Sequence, residues 1–129
     1  MPHMFPVRVY YEDTDMAGIV YHANYLKFIE RARSDWLREQ GLDQNAMREG
    51  DRIVFVVRRI EADYLAPARY DDALEVMTEV KAMTRVRLLL SQEVLRGDEP
   101  LFRAEVTAAC ATLEGRPTRL PNQLRPRVE

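Results

Sequence analysis

One stretch of the chain has the apolar spacing of a long amphipathic helix, while almost everything after it has the spacing of β-strands. From about Ala23 to Gln40, the apolar residues recur every three or four positions. They are Tyr25, Phe28, Ile29, Ala32, Trp36 and Leu37. Gly41 comes next and favours the left-handed backbone conformation that ends helices. Because a single helix covers only one face of a sheet, this pattern restricts the chain to strands packed against one helix.

Five segments alternate apolar and polar residues in the manner of strands, and they predict an antiparallel sheet. The segments are 5–12, 53–65, 74–82, 86–95 and 102–113. The last one is apolar on both faces from Val106 to Leu113, so we expect it to be buried on both sides. The predicted fold class is therefore α+β, with about five antiparallel strands wrapped around one long helix in a single domain spanning residues 1–129.

The composition argues against several functional classes. The formal net charge of −2 gives no reason to expect nucleic-acid binding. The one cysteine, Cys110, cannot form a disulfide within the chain. No basic segment followed by an apolar core marks a signal peptide, and no apolar run approaches the length of a membrane span. We therefore expect a cytoplasmic protein that does not insert into membranes.

Several common catalytic and metal sites are also excluded by the residue types present. Ser34 and Ser91 lie in the helix and strand patterns, outside any strained Gly-x-Ser-x-Gly turn. With only His3, His22 and Cys110, the chain lacks the ligands for a zinc site built from Cys and His alone. The five glycines are scattered, so no glycine-rich phosphate loop is present.

An acidic stretch, residues 11–25 with the sequence YEDTDMAGIVYHANY, joins the first strand to the helix. It places the carboxylates of Asp13 and Asp15 a few residues before a helix N-terminus, where unpaired N–H groups and the helix dipole favour negative charge. A carboxylate beside such donors suits hydrolysis, because one group attacks and the other holds the developing oxyanion. Two other interpretations stay open on the residues alone. One is an acidic turn without chemistry, and the other is a metal site of Asp13, Asp15 and His22.

The order Asp-Thr-Asp-x-x-Gly-x-Val-Tyr-His-x-Asn-Tyr resembles the hotdog-fold acyl-CoA thioesterases of the 4-hydroxybenzoyl-CoA thioesterase type, and most closely their Tol–Pal-associated branch. The similarity extends over nearly the whole chain. It implies hydrolysis of acyl-CoA thioesters with Asp15 as the catalytic carboxylate, acting either as nucleophile or as general base. It also implies that backbone N–H groups near Tyr21 and His22 polarise the thioester carbonyl.

The resemblance leaves the role of the His22 side chain open. It would position Asp15 or a water, move a proton, or cap the helix, a task that Asn24 also suits. Aryl-thioester members of the family carry an aromatic residue where this chain has His22, so the resemblance favours aliphatic acyl groups. An acyl-carrier-protein thioesterase and a non-catalytic acyl-thioester-binding protein are the alternatives. We expect neither a cofactor nor a metal.

The phosphates of the substrate give a further expectation. Coenzyme A carries phosphates, and arginine binds phosphate through paired hydrogen bonds. The candidates for this contact are Arg85, Arg87, Arg116 and Arg119, with a solvated surface role as the alternative.

The resemblance also implies that the sheets of two copies pair and build the site at their interface. Since one helix cannot cover a last strand that is apolar on both faces, we expect a homodimer or a homotetramer.

Overall fold

Six antiparallel strands form one sheet in the computed structural model, which describes residues 2–124. The strands are β1 (His3–Arg8), β2 (Ile53–Tyr64), β3 (Ala73–Met83), β4 (Arg87–Arg96), β5 (Glu99–Thr112) and β6 (Pro117–Thr118). Their order across the sheet is β1-β3-β4-β5-β2, and β6 pairs with β5. The five predicted strands are all present. The additional strand β6 was not predicted, because two residues are too few to show a periodicity.

The long helix α1 spans Asn24–Glu39, and a short turn of helix, α2 (Gln44–Ala46), continues into a π-helical turn at Met47–Asp51. Gly41 follows α1 with a φ of 87°, as predicted for a left-handed stop. The expectation that a side chain caps the start of α1 is wrong: Ala23 occupies the N-cap position without a side-chain hydrogen bond. Within residues 2–124, no helix combines the length and the apolar character that crossing a bilayer requires.

The sheet curls around α1 and buries one side of the helix along its length. Phe28 and Ile29 are fully buried in a cluster with inward-facing side chains of β3, β4 and β5. Further along the helix, Trp36 and Leu37 pack with Leu88 in a second cluster. Full burial of one such side chain stabilises the fold by about 1.5–3 kcal/mol. The arrangement confirms the α+β hotdog fold, and the six residues of the predicted apolar helix face, from Tyr25 to Leu37, are all buried.

One buried polar side chain ties α1 to the sheet. Gln92 on β4 is fully buried, and its amide nitrogen donates to the Ile29 carbonyl at 3.0 Å and to the Thr78 hydroxyl at 2.9 Å. Its amide oxygen accepts a hydrogen bond from the Arg33 guanidinium at 3.0 Å. Because a buried amide is costly unless its groups are paired, these bonds fix the position of α1 over the sheet.

The last long strand and its neighbour differ sharply in burial. β5 is buried at Val106 and at every position from Ala108 to Ala111, so the prediction of burial on both faces is confirmed there, whereas Thr107, Thr112 and Leu113 are partly exposed. The neighbouring strand β2 is an edge strand, and among residues 2–124 no other strand pairs with its outer edge. Its apolar run Ile53–Val57 is at most partly buried, and Val57 is 47% exposed. A long apolar edge strand that is open in one copy is typical of surfaces that another chain covers.

Candidate active site

The acidic stretch folds back on itself as a small hairpin between β1 and α1. The Tyr21 N–H donates to the Asp13 carbonyl at 2.8 Å, and the Asp15 N–H donates to the Ile19 carbonyl at 2.9 Å. Gly18 lies in the turn with a φ of 78°, a conformation that side-chain-bearing residues rarely adopt. The hairpin therefore presents Asp15 near its tip and brings Tyr21 to the start of α1.

Asp15 is exposed, and only one of its carboxylate oxygens is engaged. Its Oδ1 accepts a hydrogen bond from the Ala17 N–H at 2.8 Å, a local turn bond that orients the side chain. No group among residues 2–124 donates a hydrogen bond to its Oδ2. A carboxylate that is held by one oxygen and free at the other is able to attack a carbonyl carbon or to take a proton from water.

Asp13 belongs to the framework of the loop. It is 4% exposed, its Oδ2 accepts a hydrogen bond from the Tyr10 N–H at 2.8 Å, and its Oδ1 accepts one from the Asn24 amide at 3.0 Å. Asn24 is the first residue of α1 and not its N-cap, and its side-chain nitrogen is directed to Asp13. Asp13 thus fastens the acidic stretch to the first residue of the helix.

The backbone N–H groups of Tyr21 and His22 differ in availability. The Tyr21 N–H is occupied by the Asp13 carbonyl, whereas in the described part of the chain no acceptor engages the His22 N–H. The His22 carbonyl accepts a hydrogen bond from the Tyr64 hydroxyl at 2.8 Å, which holds this peptide in place. The His22 ring is exposed and lies beside the Tyr21 ring, with 4.6 Å between the ring centroids. Of these two N–H groups, the one open to an incoming carbonyl oxygen is therefore that of His22.

A cavity of about 290 Å³ opens next to His22. Its lining comprises Ile19, Val20, His22, Tyr25, Tyr64, Leu65, Ala66 and Pro67. The Tyr25 ring stacks on Phe102 with 5.0 Å between centroids, and its hydroxyl oxygen accepts a hydrogen bond from the Ala68 N–H at 3.0 Å. Burial raises the pKa of the Tyr25 hydroxyl, which keeps it neutral. The mainly apolar lining suits an apolar group held beside the free His22 N–H.

We expect Tyr25→Phe to lower the free energy of unfolding by about 1–3 kcal/mol, because the buried Ala68 N–H loses its acceptor. Urea unfolding followed by circular dichroism measures the effect. Tyr70→Phe is the matched control, since Tyr70 is 49% exposed and its change should stay within about 0.5 kcal/mol. Wild-type stability in Tyr25→Phe would show that the Ala68 N–H finds another acceptor.

The four candidate phosphate-binding arginines lie at the opposite end of α1 from Asp15 within one copy. Arg85, Arg87, Arg116 and Arg119 are all exposed. They surround the cluster at the C-terminal end of the helix, where the Arg85 carbonyl accepts a hydrogen bond from the Leu120 N–H at 2.8 Å. A helix of 16 residues is about 24 Å long. One copy of the chain therefore does not bring these arginines together with Asp15.

Two alternative chemistries find no geometric support at this site. Burial raises the pKa of Cys110 to about 12, so this thiol stays neutral inside β5. A metal in the acidic stretch is disfavoured because Asp13 uses both carboxylate oxygens in hydrogen bonds. Within residues 2–124, one group of three metal-capable side chains has its ligand atoms within 4.8 Å of one another, and it comprises His3, Asp35 and Glu39.

Two residues near the candidate site were not identified from the sequence. Tyr64 follows His22 by 42 positions, yet its hydroxyl holds the His22 peptide. Arg69 is exposed and pairs through its backbone with Ile19, the residue whose carbonyl accepts the hydrogen bond from the Asp15 N–H. A tyrosine at a strand end and an arginine in a turn are common surface residues. Only their tertiary contacts distinguish Tyr64 and Arg69 from such surface residues.

Several known proteins similar to this chain are named as thioesterases. The model of the thioesterase-like superfamily matches residues 9–128. The acyl-CoA thioester hydrolase YbgC of Escherichia coli O6:H1 is 43% identical over 122 residues, which cover 93% of this chain and 90% of the relative. The acyl-CoA thioesterase YbgC of Haemophilus influenzae is 42% identical over 122 residues, covering 94% of this chain and 90% of the relative. Among solved structures, a probable thioesterase from Bartonella henselae has a TM-score of 0.90 at 40% identity, covering 94% of this chain and 100% of its own.

Proposed function

This chain belongs to the thioesterase-like superfamily, and we propose that it hydrolyses acyl-CoA thioesters to a free acid and coenzyme A. One observation carries the proposal: the exposed Asp15 carboxylate, with one oxygen free, stands on the hairpin that leads to the unpaired His22 N–H. The names of the two YbgC relatives describe the same reaction. A nucleophilic or basic oxygen together with an oxyanion donor is what thioester hydrolysis requires.

Two routes are open to the Asp15 carboxylate. As a nucleophile, its free oxygen adds to the thioester carbonyl, the C–S bond breaks, and coenzyme A leaves as a thiolate; water then hydrolyses the mixed anhydride. As a general base, the same oxygen takes a proton from a water that adds to the carbonyl. In both routes the His22 N–H donates to the carbonyl oxygen as negative charge develops there. A thiol with a pKa of about 8.5 leaves without a strong general acid.

We propose that two copies pair through the open edge of β2. Antiparallel pairing of the two strands about a two-fold axis near their middle satisfies the free edge and covers the exposed Val57. The outer face of the sheet instead carries ion pairs, among them Lys81–Glu105 and Arg103–Glu93, and needs no apolar cover. This contrast favours a homodimer over a homotetramer formed by stacking those outer faces.

The same pairing gives the four arginines a place in the reaction. In one copy, the Tyr64 end of β2 lies beside His22, and the Ile53 end lies beside the turn that carries Arg116. Antiparallel pairing sets the Ile53 end of one copy beside the Tyr64 end of the other. We infer that coenzyme A bound at the reaction site of one copy meets the arginines of the second copy with its phosphates.

Alanine at Arg85, Arg87, Arg116 or Arg119 should raise KM for acyl-CoA more than it lowers kcat, because a phosphate contact is equally strong in the ground state and the transition state. The increase should shrink at 1 M salt, where charges are screened within about 3 Å. Steady-state kinetics at low and high salt measure both effects, with Arg31→Ala, an exposed arginine of α1 outside the β2 edge, as the control. Unchanged KM in all four variants would leave these arginines as surface residues.

The acyl group we propose is aliphatic, in keeping with the apolar lining of the cavity beside His22. A thiol-release assay over acyl-CoA thioesters of increasing chain length tests the function, with an acyl-carrier-protein thioester run in parallel. Faster turnover of the carrier-protein substrate would favour that donor, and binding without thiol release would favour a non-catalytic role.

We propose that the protein is located in the cytoplasm, in line with its single free and buried thiol, Cys110.

A further inference from the structure

A buried histidine and two carboxylates meet where β1 packs against the last turns of α1, away from the proposed reaction site. The His3 side chain is 5% exposed, and its Nε2 lies 2.8 Å from Asp35 Oδ2 and 3.4 Å from Glu39 Oε2. Asp35 and Glu39 are four residues apart on the helix, so both carboxylates project from one face. One ligand atom from each residue lies within 4.8 Å of the others. We call these three residues the His3 cluster.

The His3 ring is buried without full hydrogen bonding. Its Nδ1 is buried and has no partner among residues 2–124. All polar contact of the ring is therefore made through Nε2, which faces the two carboxylates. Because a buried unpaired nitrogen opposes folding, an apolar side chain would be less costly at this position of β1. The cluster thus keeps an imidazole in a place where packing alone does not call for one.

The spacing of the His3 cluster fits a small divalent cation. Zinc bonds of about 2.0–2.2 Å to nitrogen and oxygen place the ligand atoms of a tetrahedral site roughly 3.3–3.6 Å apart. The 3.4 Å between His3 Nε2 and Glu39 Oε2 already falls in this range. The Asp35 oxygen has to withdraw by about half an ångström, which its 37% exposed side chain allows. The exposed Glu39 side leaves space for a water as fourth ligand.

The local charges favour a cation as well. Asp35 and Glu39 bring two negative charges, and among residues 2–124 the arginine or lysine bonded to them is Arg38, which donates to Asp35 Oδ1 at 3.3 Å. A ligand set of one imidazole and two carboxylates suits Zn²⁺ better than Ca²⁺ or Mg²⁺, which prefer oxygen ligands alone. We propose that the His3 cluster binds Zn²⁺ and thereby ties the edge strand β1 to α1.

Zinc titration of the metal-free, untagged protein tests this proposal. We expect one Zn²⁺ per chain by calorimetry at pH 7.5, weaker binding at pH 5.5 because protons compete for the same atoms, and a higher thermal unfolding midpoint with zinc. His3→Gln and Glu39→Gln should each weaken binding at least about 10-fold, since each removes a ligand. His22→Gln is the control, because it removes the only other histidine and should leave zinc binding unchanged.

Three outcomes would overturn the zinc site. The first is no binding to the wild-type protein, and the second is full binding in Glu39→Gln. The third is a thermal stability that responds to pH but not to zinc, which would mean that the cluster holds a proton only. If His3→Gln unfolds, Glu39→Gln still decides the question, because the Glu39 side chain is 65% exposed and its change leaves the core intact.

Discussion

Asp15→Asn is expected to lower kcat for thioester hydrolysis by at least about 100-fold while the protein stays folded. The asparagine oxygen still accepts the hydrogen bond from the Ala17 N–H, but an NH₂ group replaces the free oxygen and neither attacks a carbonyl nor takes a proton. Because Asp15 is exposed, the free energy of unfolding should change by less than about 1 kcal/mol. Thiol-release kinetics and thermal unfolding measure the two quantities.

The neighbouring Asp13 does not serve as a neutral control for this experiment. Asparagine at Asp13 offers one acceptor where the carboxylate offers two, so either the Tyr10 N–H or the Asn24 amide loses its partner. We expect Asp13→Asn to lose about 1–3 kcal/mol of stability. Glu12→Gln is the matched control, since Glu12 is an exposed acid of the same stretch and should keep wild-type kcat. Near-normal turnover in Asp15→Asn, with mass spectrometry showing no deamidation, would remove Asp15 from the mechanism.

Val57→Glu is expected to produce monomers and to lower activity at least about 100-fold, a loss comparable to that from misplaced catalytic groups. In the proposed dimer, the two introduced carboxylates lie close to the two-fold axis and repel each other at the paired β2 edges. Each reaction site then loses the arginines of the second copy. Light scattering should report a mass near 15.1 kDa for this variant and at least twice that for the wild type.

The control for this variant is the same substitution on another strand. Val80 on β3 is also an exposed valine, at 37%, and lies apart from the open edge of β2. Val80→Glu should therefore keep both the dimer and the activity. A wild-type protein that is monomeric and fully active would contradict the shared site, and so would an active Val57→Glu monomer.

The sequence by itself was sufficient to predict the secondary-structure elements and the general class of the fold. The helix and the five long strands follow from apolar periodicities of 3.6 and 2 residues, which are local properties of the chain. The left-handed stop at Gly41 is local as well, because this backbone conformation depends on the residue itself. The sequence also placed Asp15 in an acidic stretch between the first strand and the helix, because that stretch is contiguous, whereas the hairpin within it is a finding of the structure.

The tertiary structure decided which groups meet and which are free. Asp13 and Asn24 are both polar residues near a helix start, and only the tertiary structure shows that Asp13 uses both carboxylate oxygens in hydrogen bonds and that Asn24 lies inside the helix instead of at its N-cap. The His22 N–H is distinguished from that of Tyr21 only by the hairpin bond to the Asp13 carbonyl. Hydrogen bonding in a folded chain is settled by competition among all nearby donors and acceptors, which the sequence order does not reveal.

The relative positions of residues far apart in the chain likewise could not be predicted from the sequence. The arginines at 85, 87, 116 and 119 come together because β4, β5 and β6 end at one side of the sheet, and that side is opposite Asp15 within one copy. His3 and Asp35 are 32 positions apart, and only the packing of β1 against α1 brings their side chains to 2.8 Å. Periodicity shows that a face is apolar, but the contacts between faces depend on strand order and register, which the packing of the whole chain determines.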